Sequence, residues 1–117
     1  MDFSKIKVVH FIGIGGIGIS AIARMFLYPE RSRGGARIRV SGSDVAASEV
    51  TEELRKCGAR ILVGQKAENI PDDCDLVIYT IAVSSDNPEF AEAKRRGVPM
   101  LSYPEALGVL SREKYTI

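Results

Sequence analysis

The apolar positions of this chain change period several times, and each change marks an element. Residues 7–14, KVVHFIGI, are an almost continuous apolar run, the pattern of a strand buried on both faces of a parallel sheet. From Ile17 the period lengthens, with Ile19, Ile22, Ala23, Phe26 and Leu27 at helical spacing. Tyr28-Pro29 stops that helix, because proline cannot continue it. A polar, glycine-bearing loop, ERSRGGAR, follows. RIRVSGSD is the second strand, with Ile38 and Val40 on one face. ASEVTEELRKCG is the second helix, capped by Ser48 and ended by Gly58. ARILVG is a third strand, AENIPDDCD a loop and LVIYT a fourth strand. In DNPEFAEAKRRGVP, Asn87 is the cap, Pro88 takes the first helical position, the last turn is basic and Gly97 closes the helix. VPML is a fifth strand. SYPEALGVLSR is a final helix, with Ser102 and Glu105 spaced as a capping box. KYTI reads as the start of a further strand.

This alternation predicts an α/β fold, a Rossmann-like doubly wound five-stranded parallel sheet with right-handed crossovers. A length of 117 residues suits one domain, residues 1–117. The fourth strand is expected beside the first, across the point where the strand order reverses. Ligands of such sheets sit beyond the carboxyl ends of the strands, so the candidate chemistry is sought there.

The first strand runs into Gly13, Ile14, Gly15, Gly16, Ile17 and Gly18, which satisfy the G-x-G-x-x-G pattern. The first glycine permits the turn, the second lets a diphosphate approach the backbone, and the third lets the helix lie close to the sheet. The helix N-terminus supplies unpaired N–H groups and a partial positive charge. Glycines needed only for the turn are the structural alternative. No Lys-Ser/Thr pair follows them, so this is not a nucleoside triphosphate P-loop and brings no magnesium ligand. Asp44 ends the second strand, where an acidic residue accepts from ribose hydroxyls, and Ser43 could add a bond. An aspartate that merely caps a turn is the alternative. Together these features indicate a nucleoside diphosphate without specifying nicotinamide. YTIAVSSDNPE leaves the fourth strand and would face the glycine loop, or be an ordinary connection.

Composition adds mostly exclusions. The net charge of +1 gives no global electrostatic case for nucleic acid or an anionic membrane. No apolar run approaches a membrane span, and MDFSKIKVV lacks a signal-peptide layout, so a cytoplasmic location is expected. Cys57, Cys74 and His10 are the only cysteines and histidine, too few for a usual zinc site. His10 is expected to pack or hydrogen-bond within its strand. No nucleophile–base pair is apparent.

Four pieces in order, HFIGIGGIGISAIA, VSGSD, YTIAVSSDNPE and EKYTI, resemble the N-terminal domain of the Mur ligases over essentially the whole chain. The resemblance implies a first domain that binds UDP-N-acetylmuramic acid, followed by an ATP-binding and a C-terminal domain beyond Ile117. In that family ATP, with Mg2+, phosphorylates the sugar's carboxylate, and an amine then attacks the acyl phosphate. It implies that residues 13–18 hold the UDP diphosphate, that Ser43 and Asp44 hold the ribose, and that Thr80, Ala82 and Val83 lie near the uridine or phosphates. The isolated domain would hold no cofactor and catalyse nothing. Two departures stand out. Gln65 replaces the family's common histidine after Gly64, and the segment bearing Arg31, Arg33, Arg37 and Arg39 is longer than usual and reads as a solvated loop. Within the family, the glycine-rich loop favours members that add L-alanine over those that reattach a recycled tripeptide. Competing readings are an NAD(P)-binding domain of an oxidoreductase and a nucleotide-sugar sensor without ligase activity.

Overall fold

The computed structural model describes residues 5–27 and 38–112. The basic loop with Pro29, Arg31, Arg33 and Arg37, and the KYTI segment, lie outside the described residues. In chain order the elements are β1 (Val8–Ile12), α1 (Ile17–Leu27), β2 (Arg39–Asp44), α2 (Glu49–Lys56), β3 (Arg60–Val63), a 3-10 turn (Ala67–Asn69), β4 (Leu76–Tyr79), α3 (Pro88–Arg96), β5 (Met100–Ser102) and α4 (Tyr103–Arg112). The described strands form one parallel sheet in the order β3-β2-β1-β4-β5. β4 lies beside β1, as the doubly wound reading requires.

β1 is central and buried at all five residues, which is why its sequence is an unbroken apolar run. Alternation divides the sheet into two faces. Val9, Phe11 and Val40 pack with Ile19, Ile22 and Phe26 of α1, Leu54 of α2 and Leu110 of α4. Ile12 and Val77 pack with Ile70 and Ala93 on the opposite face, under α3. His10 shares the α3 face with Ile12. So do Ser41 and Ser43, which pair in register with His10 and Ile12.

The punctuation is as expected. Ser48 Oγ accepts from Thr51 N at 3.2 Å and Thr51 Oγ1 accepts from Ser48 N at 2.8 Å, closing a capping box. Asn87 caps α3, and Gly97 ends it with φ +75°. Ser102 and Glu105 cap α4 reciprocally at 2.8 and 3.3 Å. No helix among the described residues is long and apolar enough to cross a membrane.

Gly42 performs a role that the sequence pattern left unexplained. A Cβ there would lie 2.7 Å from Ile14 Cβ, because the buried Ile14 folds over β2 as the chain leaves β1. Gly42→Ala is therefore expected to destabilise the fold by about 1–3 kcal/mol through overpacking. In a double-mutant cycle with Ile14→Gly, which removes that Cβ, denaturant unfolding should show strong non-additivity, with the alanine at 42 far less harmful once residue 14 has no side chain. Additive losses would show that the contact is not what requires the glycine.

Candidate functional site

The elements that end at the carboxyl edge of the sheet meet at the glycine turn. Gly13 has φ +83°, and the N–H groups of Gly13 and Ile14 both donate to Ser43 O, at 2.9 and 3.0 Å. Gly16 N donates to Gly13 O at 3.1 Å, and Gly15 N donates to Asp44 Oδ2 at 2.9 Å. Helical bonding begins with Ser20 N to Gly16 O at 2.9 Å. Ile17, Gly18 and Ile19 are thus the first three helical positions, and their N–H groups have no acceptor among the described residues. They are the donors that an anion could use.

The glycines also answer to neighbours from distant parts of the chain. A Cβ at Gly13 would sit 2.6 Å from Thr80 Cγ2. One at Gly15 would sit 2.7 Å from Asp44 Oδ2 and 3.2 Å from Thr51 Cγ2, so a side chain there would push the Asp44 carboxylate from its place. One at Gly18 would enter the Tyr103 ring, 2.6 Å from Cζ, so the third glycine makes room for the start of α4 rather than for the sheet. Gly16 is tight only against Ile19, and Ile14 offers only backbone because its side chain is core.

Asp44 is half-buried at the end of β2, with Oδ2 on Gly15 N and Oδ1 on Val45 N at 2.8 Å. Each carboxylate oxygen accepts more than one bond, so both retain capacity for a hydroxyl donor. Ser43 departs from its expected place. It is fully buried, and its hydroxyl donates to Glu89 Oε1 at 2.7 Å, so it supports the turn from below through its carbonyl. Thr80 abuts Gly13 and donates its N–H to Ile12 O at 3.2 Å. Ala82 is exposed beyond it. Val83 is half-buried, its side chain packed against the α3-side core. Gln65 follows Gly64, whose N–H donates to Asp44 O at 2.8 Å, so Gln65 begins where β2 ends.

Glu89, which the sequence marks only as an acid in the first turn of α3, is the hub of the α3 face. It is fully buried. Oε1 accepts from His10 Nε2 at 2.6 Å and from Ser43 Oγ, while Oε2 accepts from Lys66 N at 3.1 Å and Asn69 Nδ2 at 2.8 Å. The other ring nitrogen of His10, Nδ1, is hydrogen-bonded to Ser41 Oγ at 2.7 Å. Burial pushes the Glu89 carboxyl up, but the bonds from His10, Ser43 and Asn69 outweigh it and hold the carboxyl below its usual 4.5. The sequence signal was a polar stripe, with His10 in an apolar strand and Ser41 and Ser43 alternating on the next.

The large exposed hydrophobics among the described residues ring the same edge. Ile17 is 93% exposed, Val45 75%, Ile81 74% and Val63 54%. They follow or end β1, β2, β4 and β3 respectively.

The family model described as "Mur ligase family, catalytic domain" matches residues 8–115. The chain belongs to the Mur ligase family. A UDP-N-acetylmuramate–L-alanine ligase of Clostridium kluyveri is 46% identical over 99% of this chain and 24% of its own length. The crystal structure of a UDP-N-acetylmuramate–alanine ligase from Thermotoga maritima matches with a TM-score of 0.77 at 41% identity, over 93% of this chain and 24% of that one. A murein peptide ligase from Psychrobacter arcticus shares the fold, with a TM-score of 0.72 at 20% identity over 84% of this chain and 19% of that one. The chain spans about a quarter of the length of the L-alanine ligases it matches.

In this Mur-family chain the buried Glu89 should govern part of the acid sensitivity. Its lowered value means that its ionisation contributes stability fully above about pH 4.5, lost as pH falls through the folded value. Glu89→Gln leaves donors facing an amide NH2, and is expected to cost about 2–4 kcal/mol near neutral pH. The gap between the two proteins in denaturant unfolding should narrow below pH 4.5. Glu92, held at about 2 by hydrogen bonds from Arg95 and Arg96, titrates alike in both. A gap constant from pH 7 to 3 would show that Glu89 is not ionised in the fold.

Proposed function

We propose that this chain is the sugar-nucleotide-binding domain of a UDP-N-acetylmuramate–L-alanine ligase, and that it holds the UDP end of UDP-N-acetylmuramic acid. The carrying observation is the 46% identity to such a ligase across nearly the whole chain. The open N–H groups of Ile17, Gly18 and Ile19 support it, since they suit a diphosphate. Asp44 accepts from the ribose hydroxyls while keeping its bond to Gly15. Thr80, Ala82 and Val83 close the opposite wall of the cleft, and Gln65 stands at the base end. Ser43 acts as a positioning residue beneath the turn.

The reaction itself belongs to the longer protein. The glycine turn lacks the lysine that would hold a triphosphate: the buried Ile19 follows Gly18 in its place, and the buried hydroxyl of Ser20 donates back to Ile17 O at 3.0 Å. ATP and Mg2+ are therefore assigned to a central domain outside this chain, the incoming amino acid to a third, and the compartment to the cytoplasm. This chain binds and orients the sugar nucleotide so that its carboxylate can be phosphorylated and then attacked by the amine. A ligase for a recycled tripeptide is less favoured, because the murein peptide ligase match falls to 20% identity.

Calorimetry with UDP-N-acetylmuramic acid, UDP and NADH tests the reading. The two uridine ligands should bind, weakly, and a preference for NADH would overturn it.

Asp44→Asn keeps an acceptor for Gly15 N–H but loses the charge. UDP should bind about tenfold more weakly, while inorganic diphosphate, lacking ribose, binds as well or slightly better. Equal losses for both ligands would exclude the ribose contact.

A further inference from the structure

We propose that Asn87 fixes the amide of Gln65 so that it offers only its NH2 group, making Gln65 a selector for a nucleobase with a carbonyl, rather than an amino group, at the contacted edge. This deepens the proposed function and rests on it.

The argument is one of hydrogen-bond polarity. Asn87 Oδ1 accepts from the backbone N–H groups of Glu89 and Phe90, at 2.9 and 3.3 Å. A backbone N–H can only donate, so that atom of Asn87 must be its oxygen, and the other must be Nδ2, a donor only. Nδ2 lies 2.6 Å from the Gln65 side chain. The Gln65 atom it meets must accept and is therefore Oε1. What remains is Nε2, two donors with no partner among the described residues.

The backbone around Gln65 is clamped on both sides. Gly64 N bonds Asp44 O and Gly64 O accepts from Asn69 Nδ2, each at 2.8 Å, while Lys66 N bonds Glu89 Oε2. The residue therefore has little freedom to present its other end. Uracil carries a carbonyl at its 4-position, which accepts from NH2. Cytosine carries an amino group there, so two donors would face each other. A site whose polar group is fixed rejects the mismatched analogue because one partner is left unpaired.

The decisive variant is Asn87→Asp in this chain, with UDP, CDP and inorganic diphosphate as probes. Aspartate still caps α3 through one oxygen, but its other oxygen accepts where Nδ2 donated. The Gln65 amide must turn to donate to it, exposing Oε1 instead. The wild-type protein should prefer UDP over CDP by about tenfold, and Asn87→Asp should abolish or invert that preference while changing diphosphate binding by less than about threefold. Without ligand, the side-chain NH2 resonances of Gln65 should shift on Asn87→Asp. Gln65→Glu, which cannot donate, should likewise remove the preference for UDP. An unchanged UDP-to-CDP ratio in folded Asn87→Asp, or equal UDP and CDP affinities in the wild type with both above diphosphate, overturns this proposal alone. UDP that binds no better than diphosphate overturns the underlying nucleotide reading and this proposal with it.

Discussion

A carboxylate with no exposed surface must find donors for both oxygens before the sheet can close over it, because an unpaired buried charge costs several kcal/mol, roughly 3–5 when a partner is lost. Glu89 imposes that requirement here. Its four donors come from β1, β2 and the segment after β3, and the acid itself projects from α3. Shifting β1 by one residue would turn His10 to the opposite face, and shifting β2 would turn Ser41 and Ser43, each time taking a donor from Glu89 Oε1. The network therefore specifies register as well as contact, and it sets the strand ends of the site at one level.

The glycine turn is held by the same logic from the other side. Thr80, Asp44 and Tyr103 occupy the space that Cβ atoms at Gly13, Gly15 and Gly18 would need. These neighbours come from the ends of β4, β2 and β5, so three crossovers clasp one loop. Its N–H groups at Gly13, Ile14, Gly15 and Gly16 are consumed in building that shape. Only the first helical turn is left open. The turn is organised before any ligand arrives, so little conformational freedom remains to be lost on binding.

What could be read from the sequence follows from how local each signal was. The elements and their caps were legible because Ser48, Asn87, Gly97 and the Ser102–Glu105 pair act within a few residues of themselves. The glycines and Asp44 lie at the carboxyl edge, Gly13 with the positive φ that its turn needs, while the crowding by Thr80, Asp44 and Tyr103 comes from distant parts of the chain and had no local signal. Glu89 was hidden because an acid in the first turn of a helix is ordinarily a complement to the helix dipole. Its partners lie far away in the chain and share a face only once the register is known. Ser43 was misjudged for the same reason, since nothing local distinguishes a serine facing a ligand from one facing a buried carboxylate. The polarity of Gln65 depends on Asn87, which lies across a strand and two loops.

The apolar residues at that edge bear on how so few polar groups could bind selectively. Full burial of an aliphatic side chain contributes about 1.5–3 kcal/mol, and Ile17, Val45, Val63 and Ile81 leave from about half to nearly all of that unrealised; a concentrated exposed apolar surface marks something that is covered in use. In the proposed reading, the sugar nucleotide and the domains outside this chain supply the cover. Once water is excluded, the same charges interact more strongly, because the effective dielectric falls. The Asp44 carboxylate and the open N–H groups of α1 then act on ribose and diphosphate in a medium that magnifies each match and each mismatch. In the uncovered chain those contacts compete with water, so affinity and selectivity rise together as the rim is buried.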